Sequence, residues 1–259
     1  MKKIKCNKSL KTMYIFSNFF NSKDKNVEII SQYSIEIPKC VGNRFVISDI
    51  HGCLQTLEEL IEKMQLTKDD QVFFLGDYID RGRESAGVLD YIIDLKNRYQ
   101  VFPLKGNHED DLLLLLKIKN QNLIERYLKN ENKRALFNSD YQLHEKYFNF
   151  ITQLPYFIVL EEYILVHAGF DFKKPKPFEN TEQMLWIRNM EYDGSQANNK
   201  IIIHGHTPYP LDEIQTKLKN HNKIIPLDNG CFFNKDEDFG NLLCLNLTTR
   251  ELIVQKNID

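Results

Sequence analysis

The chain has 259 residues, 34 Lys plus Arg against 36 Asp plus Glu, 42% apolar and 12% aromatic residues, and a formal charge of −2. That composition excludes a disordered tail, a collagen-like repeat and a disulfide scaffold, and the length allows one large domain or two small ones with a sizeable core. Apolar stretches such as Leu112 to Leu116 fall far short of the roughly 18 residues that a membrane-spanning helix needs, so no integral membrane association is expected.

The first 40 residues carry eight lysines against three acids and read as a basic, solvated extension ahead of a domain spanning residues 41–259. Lys2 to Lys11 followed by Met13 to Phe20 resembles a signal peptide superficially. Ser17 and Asn18 interrupt its apolar part, however, and no small-x-small cleavage site follows. Cysteines at 6, 40, 53, 231 and 244 include no C-x-x-C pair, which predicts reduced thiols and a cytoplasmic protein. Without a helix-turn-helix, zinc-finger or RNP signature, no nucleic-acid partner is expected. The pattern leaves the oligomeric state open.

From Arg44 onward short apolar runs alternate with amphipathic segments, which predicts β-α-β units and an α/β fold. Arg44 to Ile50, Gln71 to Leu75 and Gln100 to Leu104 read as strands, with helices at Leu54 to Met64 and Ser85 to Lys96 between them. A helical insertion follows over residues 110–155, and its leucine run reads as a buried face. Strand-like stretches return at Tyr156–Leu160, Tyr163–Val166, Lys200–Ile203, Lys223–Leu227, Leu242–Leu247 and Glu251–Val254.

The chemistry-bearing residues stand at the ends of these strands. They are Asp49-Ile50-His51-Gly52, Gly76-Asp77-Tyr78-Ile79-Asp80-Arg81-Gly82, Gly106-Asn107-His108-Glu109, His167-Ala168-Gly169 and His204-Gly205-His206-Thr207-Pro208. Residues just past the carboxyl ends of strands in an α/β sheet meet in one crevice, so the five clusters should converge. A lone strand-end histidine is usually structural, but five clusters, each with a glycine that lets backbone approach closely, point to a site. Carboxylate, imidazole and amide-oxygen donors without thiolate suit manganese, iron or zinc, and one shared carboxylate would make a two-metal site.

DIHG, GDYIDRG, GNHE, HAG and GHTP, in this order, resemble the phosphoprotein-phosphatase branch of the calcineurin-like metallophosphoesterases, over about residues 44 to 232. The resemblance implies a four-layer fold, with a central mixed β-sandwich flanked by helices. It implies two divalent cations, manganese being favoured. Asp49 and His51 would hold the first, Asp77 would bridge both, and Asn107, His167 and His206 would complete the second. GHTP lacks the final histidine of the G-H-x-H found elsewhere in the superfamily, which leaves that position to water.

The implied reaction is hydrolysis by direct attack of a water that the two metals activate, without a phosphoenzyme. The leaving oxygen would take a proton from His108, oriented by Asp80. Arg81 and Arg188 would grip the phosphoryl oxygens through their planar forks. Lys105, preceding GNHE, would reach phosphate only as a point charge, Arg83 is expected to face solvent, and His204 is expected in a supporting or structural role. The expected substrate is a phosphoprotein or small phosphoester. The leading reading is phosphomonoester hydrolysis on Ser, Thr or Tyr, and the nearest rival is symmetrical diadenosine tetraphosphate hydrolysis. Enzymes of the rival kind usually replace the dyad aspartate by alanine, whereas this chain keeps Asp80. A non-catalytic phosphate-binding module is the remaining alternative, and a lost ligand or acid would be its mark.

Overall fold

The computed structural model describes residues 28–29, 31–233 and 237–259, so residues 1–27 of the expected basic extension, with the Met13 to Phe20 segment, lie outside the described residues. Two short strands, Glu28–Ile29 (β1) and Ser34–Glu36 (β2), come first. β2 runs parallel to Phe157–Val159, and Ile35 and Ile37 are fully buried in the core. The globular body therefore begins before residue 41, and the lysine content of the first 40 residues masked a short strand paired between β1 and Phe157–Val159.

Arg44–Ile47 (β3), Gln71–Phe74 (β4) and Gln100–Pro103 (β5) pair in parallel, as their β-branched and aromatic content favours. The helices between them are Leu54–Met64 (α1) and Ser85–Arg98 (α2). Leu57, Leu60, Ile61 and Met64 recur at helical spacing on α1, and Val88, Leu89, Ile92 and Leu95 do so on α2. Both buried stripes cover one face of the sheet.

Four helices then follow: Asn107–Ile118 (α3), Gln121–Tyr127 (α4), Glu131–Arg134 (α5) and Glu145–Thr152 (α6). The Asn120 side chain caps α4 by accepting from the backbone N–H groups of Asn122 and Leu123. The leucine run on α3 is only partly a core face, since Leu112 is buried while Leu114 is 52% exposed.

Phe157–Val159 (β6), Tyr163–Val166 (β7), Ile201–His204 (β8) and Ile224–Pro226 (β9) extend a six-stranded sheet in the order β1-β2-β6-β7-β8-β9. Asn241–Asn246 (β10) and Leu252–Lys256 (β11) complete a five-stranded sheet in the order β11-β10-β3-β4-β5. Between β7 and β9 lie two helices, Thr181–Trp186 (α7) and Leu211–Lys219 (α8).

Val46, Phe73 and Phe102 from the smaller sheet meet Ile158, Leu165 and Ile203 from the larger in one apolar layer, which makes a mixed α/β sandwich. The outer face of the larger sheet packs Phe157, Ile164 and Ile202 against Phe170 and Met184. Parallel pairing within each sheet delivers the loops after β3, β4, β5, β7 and β8 to one place. The Ile50 and His51 amides donate to the Asp77 carbonyl, Gly205 N–H donates to His167 O, and His206 N–H crosses between sheets to Asp49 Oδ2 at 2.9 Å.

Candidate dimetal active site

All five sequence clusters converge. At the centre lies Asp77, 2% exposed, whose two carboxylate oxygens face different ways. Oδ2 lies 3.5 Å from His51 Nε2, and Oδ1 lies 3.5 Å from His167 Nε2. His51, Asp77 and His108 form one group able to hold a cation, and Asp77, His167 and His206 form a second. The ring orientations follow from backbone acceptors. His51 Nδ1–H donates to Ile79 O at 3.0 Å and His167 Nδ1–H to Leu75 O at 2.9 Å, which turns both Nε2 lone pairs inward. Asn107 Oδ1 is 2.9 Å from both His167 Nε2 and His206 Nδ1.

Three observations bear on whether this donor set fits metal. Asp49 Oδ1 and His206 Nε2 are buried without a hydrogen-bond partner, an expense rarely left uncompensated. Asn107 Oδ1, His167 Nε2 and His206 Nδ1 crowd together although they are acceptor-rich atoms. Finally, glycines make room for carboxylates: a Cβ on Gly205 would stand 2.0 Å from Asp49 Oδ1, and one on Gly106 would stand 2.2 Å from Asp77 Oδ1. The residues present fit a pair of divalent cations sharing Asp77.

The electrostatics agree. Burial, then the nearby Asp228 and Asp77 charges, raise the Asp49 carboxyl well above its ordinary range. Burial pushes against ionisation of Asp77 too, but His167, His51 and His108 together outweigh it and hold Asp77 at about 2. Burial keeps His51 neutral down to about 4 and His206 down to about 3, the state a metal ligand needs.

His108 stands apart from the other imidazoles. Its Nδ1 is 2.7 Å from Asp80 Oδ2, and its Nε2 points inward, 3.9 Å from Asp77 Oδ2. Burial lowers its proton affinity, but the Asp80 hydrogen bond and the Asp77 charge win, and its pKa rises. Asp80 and Arg81 occupy left-handed backbone at φ 70° and 67°, a conformation costly for a residue with a Cβ and tolerated where function needs it. The exposed Arg81 guanidinium lies 4.3 Å over the Phe232 ring. Arg188 is exposed, near enough to His206 to lower its proton affinity, and lines a cavity of about 380 Å³ with His204 and Tyr209.

The peripheral expectations resolve as follows. Arg83 is exposed. His204 Nδ1–H donates to Gly205 O, 3.0 Å away. Lys105 Nζ lies 5.0 Å from the Tyr156 ring centroid and 3.9 Å from Asp110 Oδ1.

Sequence reasoning named Glu109 without giving it a role and missed Asp228, Tyr127 and Lys133. Glu109 is fully buried and accepts from the Asp77, Tyr78, Ile79 and Gly106 amides, which fixes the loop that carries Asp77. Asp228 is a buried carboxylate just past β9, where the strand-end rule that found the other clusters would have found it. Tyr127 and Lys133 reach Asp80 Oδ1 from the helical segment at 3.0 and 2.9 Å, and no local motif signals either.

A model of the family described as calcineurin-like phosphoesterase matches residues 44–236. The chain belongs to that family. It is therefore a metallophosphoesterase, a hydrolase acting on phosphoric ester bonds. The bis(5'-nucleosyl)-tetraphosphatase PrpE [asymmetrical] of Oceanobacillus iheyensis is 26% identical over 228 residues, 73% of this phosphoesterase and 84% of the relative. Three bis(5'-nucleosyl)-tetraphosphatases, symmetrical, of Buchnera aphidicola subsp. Acyrthosiphon pisum are 32% identical over 99 residues, 36% of this chain and 35% of each relative.

The fold is shared with a crystal structure of a putative diadenosine tetraphosphatase at TM-score 0.62 and 20% identity, covering 86% of this chain and 96% of that one. It is shared too with a Saccharomyces cerevisiae protein serine/threonine phosphatase with similarity to human phosphatase PP5. That match has TM-score 0.57 and 15% identity and covers 96% of this chain and 90% of that one. Among the described residues no helix is long and apolar enough to cross a membrane.

Proposed function

We propose that this phosphoesterase hydrolyses phosphomonoesters on protein Ser, Thr or Tyr side chains. The observation that carries this reading is the pair formed by His108 Nδ1 and Asp80 Oδ2 at 2.7 Å, with the imidazole's proton affinity raised. An alkyl phosphoester expels an alkoxide that must be protonated, whereas a phosphoanhydride expels a phosphate that needs no proton. A positioned donor therefore contributes most to the former.

We assign Asp49, His51 and Asp77 to one cation and Asp77, Asn107, His167 and His206 to the other, with manganese favoured over iron or zinc. When bound, such a pair lowers the pKa of a shared water and neutralises phosphoryl charge. Arg81 and Arg188, both exposed, bind phosphoryl oxygens through bidentate hydrogen bonds. His108 Nε2–H then protonates the departing oxygen while Asp80 holds the ring. Glu109 keeps the Asp77 loop in place throughout.

A second reading, cleavage of a dinucleoside tetraphosphate, is favoured by the name of the Oceanobacillus iheyensis relative. Side-by-side rates of manganese-loaded protein on phosphoserine, phosphothreonine and phosphotyrosine peptides and on diadenosine tetraphosphate, with a chelator control, test both. Faster peptide hydrolysis, abolished by chelator, is expected. Faster dinucleotide cleavage would transfer the assignment to the second reading, and phosphopeptide binding without turnover would make the protein a binding module.

A further inference from the structure

We propose that Lys133 and Tyr127, contributed by the helical segment after β5, are positioning residues for the proton donor His108, acting through Asp80. The inference rests on the assignment of His108 as that donor. It extends the dyad by two residues that stand 25 positions or less beyond His108 in sequence but join it only through the fold.

Asp80 hangs from a left-handed turn and has two side-chain torsions to fix. Its Oδ2 is taken by His108 Nδ1–H at 2.7 Å. Its Oδ1 receives Lys133 Nζ at 2.9 Å and the Tyr127 hydroxyl at 3.0 Å, and the Lys133 ammonium also lies 4.0 Å from the centre of the Tyr127 ring. The Asp80 amide is tied separately to Ser85 Oγ at 3.0 Å. With the carboxylate gripped from the far side, its near oxygen can point only at the imidazole, and the ring is held with Nε2 facing Asp77. A carboxylate gripped only by histidine would rotate with it, and proton delivery depends steeply on such geometry.

The contact is not incidental packing. The helix Glu131–Arg134 buries none of its residues, so Lys133 does not hold the segment down through apolar contact. Leu128, Leu136 and Phe137 do that by joining the main core cluster. Lys133, with 19% of its side chain exposed, lies over the same carboxylate that organises the dyad. The helical segment thereby supplies part of the catalytic apparatus.

The test compares wild type with Lys133→Met, Tyr127→Phe and Lys133→Arg, each manganese-loaded. The substrates are a phosphoserine peptide and an aryl phosphate whose phenol leaves without protonation. For Lys133→Met, kcat on the peptide is expected to fall about tenfold, a fraction of the roughly 10²–10⁴ that a positioned acid supplies. KM, metal content and melting temperature should hold, and the aryl phosphate rate should change by less than about twofold, since it does not use the acid. Lys133→Arg should recover most of the loss, and Tyr127→Phe should show a smaller loss with the same leaving-group dependence.

An independent readout is the proton NMR signal of His108 Nδ1–H in metal-free protein, identified by its absence in His108→Asn. Lys133→Met should broaden or shift it, and Lys133→Arg should restore it. Equal losses on both esters, a change confined to KM, or an unmoved Nδ1–H signal would overturn the proposal. Failure of wild type to turn over either ester would strike the phosphoester reading, and the metal-free signal would still decide the role of Lys133.

Discussion

Gly205→Ala isolates the space that the site needs. The added methyl would lie 2.0 Å from Asp49 Oδ1 and 3.0 Å from its Cγ, whereas ordinary contact begins at 3.4 Å. Carboxylate or loop must therefore move by about 1.4 Å. The carboxylate is the softer of the two, but it is 1% exposed and its other oxygen accepts from His206 N–H at 2.9 Å, so it cannot rotate without breaking that cross-sheet bond. A displacement of about 1 Å in a positioned group can cost roughly 100-fold in rate. Disturbing the support of a ligand costs about 10–100-fold in metal affinity.

The expected result is a loss of one cation, measured by elemental analysis after gel filtration, with kcat/KM down about 100-fold at subsaturating manganese and partial recovery at high manganese. The melting temperature of chelator-treated protein should fall by several degrees, because overpacking at a buried site costs about 1–3 kcal/mol and the cross-sheet hydrogen bond is lost with it. Two cations per chain and a wild-type rate would refute the assignment of Asp49 as a ligand.

His108→Asn should lower turnover of a phosphoserine peptide by about 10²–10⁴ while leaving metal stoichiometry intact, and a wild-type rate on that ester would overturn the acid assignment. Glu109→Gln replaces a carboxylate accepting several amides with a group that also presents donors to them. A loss of about 2 kcal/mol is expected, seen as a melting temperature lower by roughly 4–8 °C, and an unchanged melt would refute the loop-fixing role.

Metal-free protein should change little in stability from pH 5.5 to 6.5 and lose stability as pH rises from 6.5 through 7. Burial raises Glu109 and Asp228 to about 7 from ordinary values of 4.5 and 3.8, so the folded state binds protons that the unfolded state has released, and stability falls as pH climbs through 7. Burial also depresses His51 and His204 to about 4 and His206 to about 3. The unfolded chain then takes up protons below 6.5 that the folded chain refuses, a loss that opposes the gain from Glu109 and Asp228 over the same range, so the two largely cancel there. Thermal melts in chelator from pH 5.5 to 8.5 check this, and a steady rise across the range would refute it.

Much of the site was legible because its residues obey one rule: they follow strands. Asp49, Asp77, Asn107, His167 and His206 each stand within four residues of a strand end, and parallel pairing gathers such positions without regard to sequence distance. Local periodicity located α1 to the residue and α2 to within two.

What it could not locate depended on partners far away. β2 is three residues long, and it is a strand because Phe157–Val159 offers a free edge beside it, not because of its own composition. GNHE reads as a loop, yet Asn107 opens α3 because Glu109 folds back to accept from Gly106 N–H at 3.0 Å. Lys133 and Tyr127 belong to exposed or half-buried helix faces that look generic until Asp80 is placed against them.

The two cation groups differ in how much chain they enclose. Asp49, His51 and Asp77 lie within one stretch of 29 residues built on two adjacent parallel strands, whereas the group with His167 and His206 closes only when the second sheet is in place. During synthesis the first group is complete long before the second exists, and the Asp49 to His206 bond spans 157 residues. Long-range closure of this kind is a late event in folding. A chain cut before β7 would lack His167 and His206 and so would keep the donors of only one of the two groups.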